Sequence, residues 1–406
     1  MKFIYVLIGV VFLFVNCSDQ KPNNSLKFSP EEISSLNLSS TQMIKRGDDL
    51  IEKFDLSSYL GERSFSLGNM IKSIRYLPLE TTKESLIAEI SQIIVSDKNI
   101  YISDNQLNSV LIFDENGKYL NQIRKGQGPG EILQLKGIAY DTIDNELIVY
   151  HNKFLSFFSQ YGEFKKRENI PLNARYFTLI PKGYLFYTLN GVDNSHLGYS
   201  ENNQILITDK SFTLKTRGFP YRLFKNVNYG GEGIHVNNEE INLTFSFIDT
   251  IYQFVNIDTV KAKYAFNLGK KKIPDNVLLN ISSMDEFVST FTENDYYYFS
   301  GRYDEIDDYI FIAFRNQFAK AISNFFINKI TTNIEGGTQL LQDERFPYLS
   351  YPIASKGSFF VSFAQPYDII PNLNILNNEF VSKENMMSLR KLRDDDNPVL
   401  IFYELQ

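Results

Sequence analysis

Residues 100–131 constrain the fold of this chain more than any other stretch. Within them, residues 100–103 alternate apolar and polar side chains as a half-buried strand does, and residues 110–113 and 119–123 form two further β-rich runs. The dipeptide Asn116-Gly117 separates the last two runs, and Asn-Gly in that position is the strongest short-range signal for a β-hairpin. These residues therefore predict an antiparallel sheet.

A glycine-rich segment follows the hairpin. Gly126, Gly128 and Gly130 surround Pro129, a composition that disfavours both a helix and a central strand, so we expect the chain to leave this sheet and begin another. A second set of four strands is predicted at residues 137–140, 146–150, 155–159 and 163–168. Phe113 and Phe158 hold equivalent places in the two sets, 45 residues apart, and that period fits the four-stranded blade of a β-propeller.

The pattern continues to the C-terminus with less regularity. Three more sets are predicted at residues 176–217, 233–266 and 296–334, and a sixth has only three strands, at 348–353, 358–363 and 399–405. Residues 71–79 are also strand-like, and donating them to the sixth set would close a ring and remove its exposed edges. The sequence therefore predicts an all-β fold: a six-bladed β-propeller of four-stranded antiparallel blades, closed by an N-terminal strand, with short helical insertions at residues 274–291 and 382–393.

The N-terminus has the layout of an export signal. Thirteen mainly apolar residues, 3–15, follow Met1-Lys2, which is too few to span a bilayer, and the single cysteine, Cys17, stands where such a signal ends. The segment resembles a bacterial lipoprotein signal, in which that cysteine is acylated; an ordinary secretory signal is the alternative. We predict a signal peptide at 1–16, a tether and N-terminal extension at 17–60 with a short helix capped by Ser29, and the propeller at 61–406.

Charge and composition exclude several classes of function. The net charge is −7, and no cluster of Lys and Arg matches a nucleic-acid backbone. The three histidines, His151, His196 and His235, are far apart, no cysteine accompanies them, and no phosphate-binding loop or serine nucleophile motif occurs. We therefore predict no metal site, no cofactor and no nucleic-acid partner.

Several motifs together resemble a known family. Residues 101–104, 113–118 and 126–131 are similar to an NHL-type repeat, and more closely to the six-bladed β-propeller lipoproteins of Bacteroides-like bacteria. Residues 76–81, 247–252 and 396–401 match the same family, so that the resemblance runs from about Phe65 to the C-terminus and includes the signal region. It implies a lipid-anchored protein of the cell envelope, with no catalytic residues to transfer. Members often occur beside nutrient-uptake machinery.

Acidic and glycine-rich runs leave alternatives open. Asp304, Glu305, Asp307 and Asp308 could supply a carboxylate pair for glycoside cleavage, but we favour a solvated turn between two strands, as we do for residues 394–396. The segment 126–130 lacks a following helix that would make it a phosphate cradle, so we interpret it as a link between blades. The triplets at residues 141–143, 249–251 and 258–260 resemble an O-glycosylation pattern.

The function that these observations favour is binding without catalysis. In a four-stranded blade, the loops between the second and third strands share one face with the connections between blades. Envelope proteins, glycans and peptides are the expected partners, beside the membrane itself. A carbohydrate- or peptide-cleaving enzyme on the same scaffold and a purely structural subunit are the alternatives. Besides Cys17 for lipidation, the predicted ligand-binding residues on that face are Asp104, Asn105, Arg124, Lys125, Gln127, His151 and Asn152.

Overall fold

The computed structural model describes residues 28–47, 51–222, 233–237, 240–316, 321–375 and 380–406. Cys17 lies outside these ranges. Within them, no helix is both long enough and apolar enough to cross a membrane.

Six four-stranded antiparallel sheets form the blades of a β-propeller, as predicted. The first strand of each blade contacts the first strands of the blades on either side, so that six inner strands form a closed ring around an axis. From the axis outward, the first three blades are Gln92–Val95, Asn99–Asp104, Ser109–Asp114 and Tyr119–Ile123; Leu135–Asp141, Glu146–His151, Phe154–Ser159 and Phe164–Asn169; and Tyr176–Ile180, Gly183–Tyr187, Asn203–Asp209 and Leu214–Pro220.

The other three blades are more irregular but keep the same strand order. Blade 5 has a bulge in its first strand, between Phe299 and Tyr303. From the axis outward, blades 4 to 6 are Ile234–Asn237, Glu240–Phe245, Ile248–Asn256 and Thr259–Asn267; Tyr297–Glu305, Tyr309–Asn316, Ala321–Asn328 and Ile334–Gly337; and Ala354–Lys356, Phe359–Ala364, Val399–Leu405 and Ile71–Pro78.

The N-terminal strand closes the ring. Ile71–Pro78 pairs antiparallel with Val399–Leu405 from the C-terminus, and it buries Ile71, Ile74 and Tyr76 against the rest of blade 6. Without Ile71–Pro78, the strand Val399–Leu405 would expose its hydrogen-bonding edge. For this reason the spare strand near the N-terminus could be assigned to the place of the missing fourth strand of blade 6. This prediction is confirmed.

Residues before the closing strand lie against the outer edges of blades 3, 4 and 5. Gln42–Met43 pairs parallel with the outer strand of blade 3, and Lys45–Gly47 and Glu52–Asp55 pair parallel with that of blade 4. Ser64–Phe65 pairs with Gln339–Leu340, just after blade 5. The chain therefore runs as a belt around half of the ring before it enters blade 6.

Helices are short and lie at the N-terminus and in connections. Ser29 and Glu32 form a reciprocal capping box on the first of them. The α-helices are Pro30–Ser35, Asp275–Asn280, Met284–Asn294, Pro366–Ile369 and Lys383–Leu389, and the 3₁₀ helices are Leu38–Ser40, Gly68–Met70, Ser195–Ser200, Gly269–Lys271 and Ile370–Ile375.

Three sequence-based placements are wrong. The inner strand of blade 6 is Ala354–Lys356, because the apolar residues before it pack elsewhere: Tyr351, for example, stacks on Phe311. The outer strand of blade 5 starts at Ile334, after a turn that includes an exposed Ile330. The insertion predicted as one amphipathic helix is two helices, because Ser283 accepts a hydrogen bond from the Glu286 N–H and so starts a new helix.

The two ends of the ring differ in their connections, and we name them by these. The linker face carries the loops between second and third strands, such as residues 104–109 and 151–154, together with the connections between blades, such as residues 123–135. The hairpin face carries the turns within each blade, such as residues 95–99, 114–119, 141–146 and 159–164. The alternation of antiparallel strands fixes this division.

Candidate functional site

The loops chosen from the sequence do lie together on the linker face. The Leu135 N–H donates to Asn108 Oδ1 (2.9 Å) across blades 1 and 2, and the Asn152 N–H donates to Gln134 O (3.1 Å). The Leu133 N–H approaches His151 Nδ1 (3.4 Å). Hydrogen bonds therefore join the three loops that contain the predicted ligand-binding residues.

Asp104 supports the loops from inside. Its side chain is fully buried, Oδ2 accepts the N–H groups of Ala88 (2.7 Å) and Glu89 (3.1 Å), and Oδ1 accepts that of Leu107 (2.8 Å). A carboxylate that accepts three backbone N–H groups satisfies donors that would otherwise be buried without a partner. Asp104 therefore fixes the connection from blade 6 to blade 1.

His151 was expected to be accessible to solvent, and this expectation is wrong. The residue is 2% exposed, and its Nε2 lies 2.8 Å from Ser156 Oγ. Burial lowers the pKa of His151 to about 4, and the positive charge of Arg167 adds to the effect. The last residue of a second strand points between blades here, which the sequence pattern did not reveal.

The other predicted residues form the rim of the linker face. Arg124, Lys125 and Gln127 are exposed, whereas Asn105 and Asn152 are half-buried and their Oδ1 atoms have no hydrogen-bond partner among the described residues. Ligand binding by this group stays a prediction.

The glycine-rich segment is the link between blades 1 and 2, as predicted. Glu131 folds back over it and accepts the Gly128 N–H at Oε2 (2.8 Å), and a Cβ atom at Gly126 would lie 2.0 Å from the same oxygen. The carboxylate of the chain itself thus occupies the space that an anion would take in a phosphate-binding loop.

A cavity of about 520 Å³ lies on the axis and opens toward the hairpin face. All six inner strands contribute to its wall, and its mouth includes Ser96, Asp97 and Lys98 from a blade 1 turn and Thr142 and Asn145 from a blade 2 turn. The wall residues from the inner strands include Gln92, Ile94, Ile138, Tyr140, Phe177, Thr178, Ile234, His235, Val236, Asn237, Tyr303, Asp304, Glu305, Ala354 and Lys356.

Uncharged groups make up most of the wall. Val236 exposes 53% of its surface in the cavity, and the Oδ1 atoms of Asn237 and Asn242 are buried with no hydrogen-bond partner among the described residues. Burial lowers the pKa of His235 to about 4, so its ring is neutral at physiological pH. The cavity therefore offers an occupant a mainly uncharged wall with exposed apolar surface.

Asp304 and Glu305 are not part of a solvated turn. Asp307 and Asp308 are exposed as expected, but Asp304 and Glu305 are each only 7% exposed and lie in the inner strand of blade 5. A solvated position was expected from the run of acids alone, whereas the strand continues through the first two of them. That part of the interpretation is wrong.

Glu305 is held in an ion-pair network behind the cavity wall. Its carboxylate accepts from Lys263 Nζ (2.6 Å), Lys329 Nζ (2.8 Å) and Tyr264 Oη (2.9 Å), and Tyr303 Oη also donates to it. Burial raises the pKa of Glu305, but the two ammonium groups and the tyrosine hydroxyl outweigh burial and hold that pKa below its ordinary value. Glu305 therefore ties blade 4 to blade 5 as an anion.

The cavity was not predicted from the sequence, because loops rather than inner strands were the expected place for a site. A weak signal was available: the first strand of several modules carries a polar residue, such as Gln92, Thr178, His235 or Asp304. Both faces of an inner strand pack against neighbouring blades, which disfavours polar side chains there. A polar side chain in an inner strand is therefore expected where that side chain reaches the axis.

The closed ring of six blades with an axial cavity defines this chain as a six-bladed β-propeller. Residues 51–404 match the model of a family described as a domain of unknown function, DUF4934, and the chain belongs to that family. No curated protein matches the sequence significantly.

One solved structure supports the fold. A presumed exported protein from Bacteroides fragilis superposes with a TM-score of 0.69 at 16% sequence identity, over 88% of this chain and 100% of the other. The WD40 domain of SCAP from fission yeast (TM-score 0.34, 12% identity, 72% and 62% covered) and the Pan2 WD40 domain of Neurospora crassa (TM-score 0.35, 12% identity, 66% and 72% covered) are more distant. At 16% identity the likeness to the Bacteroides fragilis protein concerns the fold alone.

Proposed function

We propose that this propeller is a non-catalytic binding module of the cell envelope and that its ligand occupies the axial cavity. The cavity carries the proposal: its volume of about 520 Å³ falls within the roughly 300–1,000 Å³ of small-molecule sites. All six blades contribute to its wall, so the ligand contacts a rigid scaffold rather than mobile loops.

The chemistry of the wall favours a neutral, hydroxyl- or amide-rich ligand, such as a glycan or a peptide segment. Thr142 and Asn145 at the mouth are exposed, and their hydroxyl and amide groups can exchange hydrogen bonds with sugar hydroxyls and peptide N–H groups. Tyr140 and Val236 add apolar surface against which a sugar ring or an apolar side chain can pack.

A cleaving enzyme is the alternative, and it needs two carboxyl groups that act together. Of the three carboxylates at the cavity, Glu305 is neutralised by Lys263 and Lys329, and Asp97 pairs with Lys356 (2.8 Å) at the mouth. Two of the three are thus committed to ion pairs, which favours binding over catalysis. The enzyme proposal would instead require turnover that Asp304→Asn abolishes.

The lipid anchor belongs to the same proposal. Cys17 is the proposed acylation site, and it lies eleven positions before Phe28, so the anchor lies at most about 40 Å from Phe28. Phe28 packs on the linker face, with its ring 4.7 Å from that of His196 and beneath the ammonium of Lys153. An anchor attached near Phe28 would favour an orientation with the linker face toward the membrane. A structural neighbour with this fold is a presumed exported protein, and export is part of the proposal.

Binding can be tested with a matched pair of substitutions in blade 4. Val236 is 53% exposed in the cavity, and Val255 is 49% exposed on the third strand, away from the axis. We would screen the purified chain on glycan and peptide arrays and measure the affinity of each hit. Val236→Lys should weaken binding at least about tenfold through a desolvated charge, whereas Val255→Lys should not. A ligand whose affinity is unchanged by Val236→Lys would contradict the cavity proposal.

The anchor has its own test. Cys17→Ala should move the protein from the membrane fraction to the soluble fraction, and the wild-type chain should incorporate labelled fatty acid. A variant that still sediments with membranes, together with an unlabelled wild type, would contradict lipidation and leave the cavity proposal untouched.

A further inference from the structure

Two cations lie where the inner strands of blades 2 and 3 begin, on the linker face. Lys136 is the second residue of Leu135–Asp141, and Arg175 immediately precedes Tyr176–Ile180. In both strands the residues that line the cavity follow later, toward the hairpin face. The two cations therefore lie at the opposite end of the inner strands from the cavity mouth.

Lys136 is packed against a buried tyrosine. Its Nζ lies 3.1 Å from Tyr150 Oη and 4.6 Å from the centre of the Tyr150 ring, and that hydroxyl also accepts the Ala174 N–H (2.9 Å). Tyr150 is fully buried, so this ammonium group has given up much of its water. Burial lowers the pKa of Lys136 to about 8, and the nearby charge of Arg175 adds to the effect.

In the part of the chain that the structure describes, no carboxylate pairs with either of these two charges. Within the described residues, neither Lys136 nor Arg175 forms an ion pair, and the Arg175 side chain donates no hydrogen bond, although its guanidinium lies 5.3 Å from the Tyr176 ring centre. His151, whose pKa is low, lies close to Lys136 and to Arg167, and Arg167 donates to Glu131 O (2.7 Å).

Other sequestered lysines of the protein are treated differently. Lys263, Lys329 and Lys153 expose 18%, 21% and 26% of their side chains, and each pairs with a glutamate. A desolvated cation without an anion is costly, and a second cation beside it raises the cost. The Lys136–Arg175 pair departs from the pattern that the rest of this molecule follows.

We propose that Lys136 and Arg175 together bind an oxyanion, the carboxylate, sulfate or phosphate group of a ligand that reaches the linker-face end of the axis. Arg175 is exposed and supplies a planar set of N–H donors, which suits bidentate contact with two oxygens of the anion. Lys136, which is more buried, supplies a single positive charge. The site stands on its own contacts and does not depend on occupancy of the cavity.

The reactivity of Lys136 toward an amine reagent provides the test. We would methylate the full chain reductively at neutral pH with limiting reagent, in chloride or in sulfate, phosphate or acetate at constant ionic strength, and quantify each lysine by mass spectrometry. A bound oxyanion raises the pKa of the amine, and one pKa unit lowers its reactive neutral fraction by up to about tenfold. Methylation of Lys136 should therefore fall by up to about tenfold when the anion binds, whereas methylation of the exposed Lys98 and Lys125 should not change.

Arg175→Gln provides the matched comparison, because it removes one half of the proposed site at an exposed position and leaves Lys136 to report. In this variant, protection of Lys136 should fall several-fold, whereas Arg315→Gln, another exposed arginine, should behave as wild type. The anion that protects best identifies the ligand class. Equal protection in wild type and Arg175→Gln, or no protection by any of the three anions, would overturn the proposal.

Discussion

On the linker face, Asp104 and His151, which seemed available in the sequence, are used by the protein itself, whereas the cavity beneath the hairpin face leaves side-chain surface open. Asp104 and His151 turn inward to backbone N–H groups and to Ser156. By contrast, Val236 in the inner strand of blade 4 leaves 53% of its surface exposed in the cavity. A long connection must satisfy its own backbone groups, and it uses nearby side chains to do so. Short turns have fewer such groups, so inner-strand side chains stay open to an occupant.

The largest expected effect concerns both faces at once. Ile71–Pro78 runs from the hairpin face to the linker face, and it pairs along the whole length of Val399–Leu405. Deleting residues up to Glu80 should cost more than about 5 kcal/mol, enough to unfold a marginally stable domain, whereas deleting residues up to Asn24 should cost little. Urea unfolding of the two truncations checks this. Equal midpoints would show that the closing strand is dispensable.

The next effect separates the faces. Asp104→Ala leaves three buried N–H groups without an acceptor and should lower the free energy of unfolding by about 3 kcal/mol. The control is Asp97→Ala at the cavity mouth, where the side chain is 90% exposed and the change should stay within about 0.5 kcal/mol. Chemical denaturation of both variants measures the contrast. If Asp104→Ala were as stable as the control, Asp104 could not be a support of the linker face.

Local features of the fold could be predicted from the sequence, whereas the exposure of a loop side chain could not. The hairpins of blades 1 and 2 were predictable because turn residues and strand alternation are local; Phe113 and Phe158 even pair with an aromatic residue in the same way, with Tyr119 and Phe164. The shared face of the loops followed from strand order alone. Whether a loop side chain is exposed depends on its partners in space, and for Asp104 these come from the preceding blade connection.

Long-range partners explain the remaining errors. Glu305 looked like part of a solvated acidic run because Lys263, its ion-pair partner, is 42 residues away in another blade. The inner strand of blade 6, Ala354–Lys356, is short and polar, so apolar residues before it gave the stronger but wrong signal. The cavity itself arises only when six inner strands meet, and no single module contains it.

A pH-dependent effect of intermediate size is expected from His151. The folded site holds the neutral ring with a pKa of about 4, whereas the unfolded chain takes up a proton at the ordinary value of 6.5. Stability is therefore full above pH 6.5 and is lost progressively as the pH falls toward 4, by up to about 3 kcal/mol. Unfolding free energies measured across this range should fall less steeply in His151→Gln than in wild type. If unfolding free energy fell equally with pH in wild type and in His151→Gln, the histidine would have to be accessible to solvent.

The smallest expected effect lies at the cavity mouth, where Lys356 of blade 6 and Asp97 of blade 1 form an ion pair of 2.8 Å. The Asp97 side chain is 90% exposed and the Lys356 side chain 41% exposed, so solvent screens the ion pair and Lys356→Gln should change the free energy of unfolding by less than about 0.5 kcal/mol. The ion pair of Lys72 with Glu404 (2.7 Å) lies on the outer strands of blade 6, away from the axis, and Lys72→Gln is the matched control.

The binding kinetics of Lys356→Gln test the charge of whatever enters the cavity by this mouth. Charges at the rim of a site act mainly on the association rate and its dependence on salt. A neutral ligand should therefore associate with wild type and with Lys356→Gln at rates within about twofold, with little change on adding salt. A large, salt-sensitive fall in the association rate that Lys72→Gln does not share would show that an anion is steered through the hairpin face. The oxyanion would then enter on the side opposite Lys136 and Arg175. The assignment of a neutral ligand to the cavity and of an oxyanion to the linker face would then be wrong.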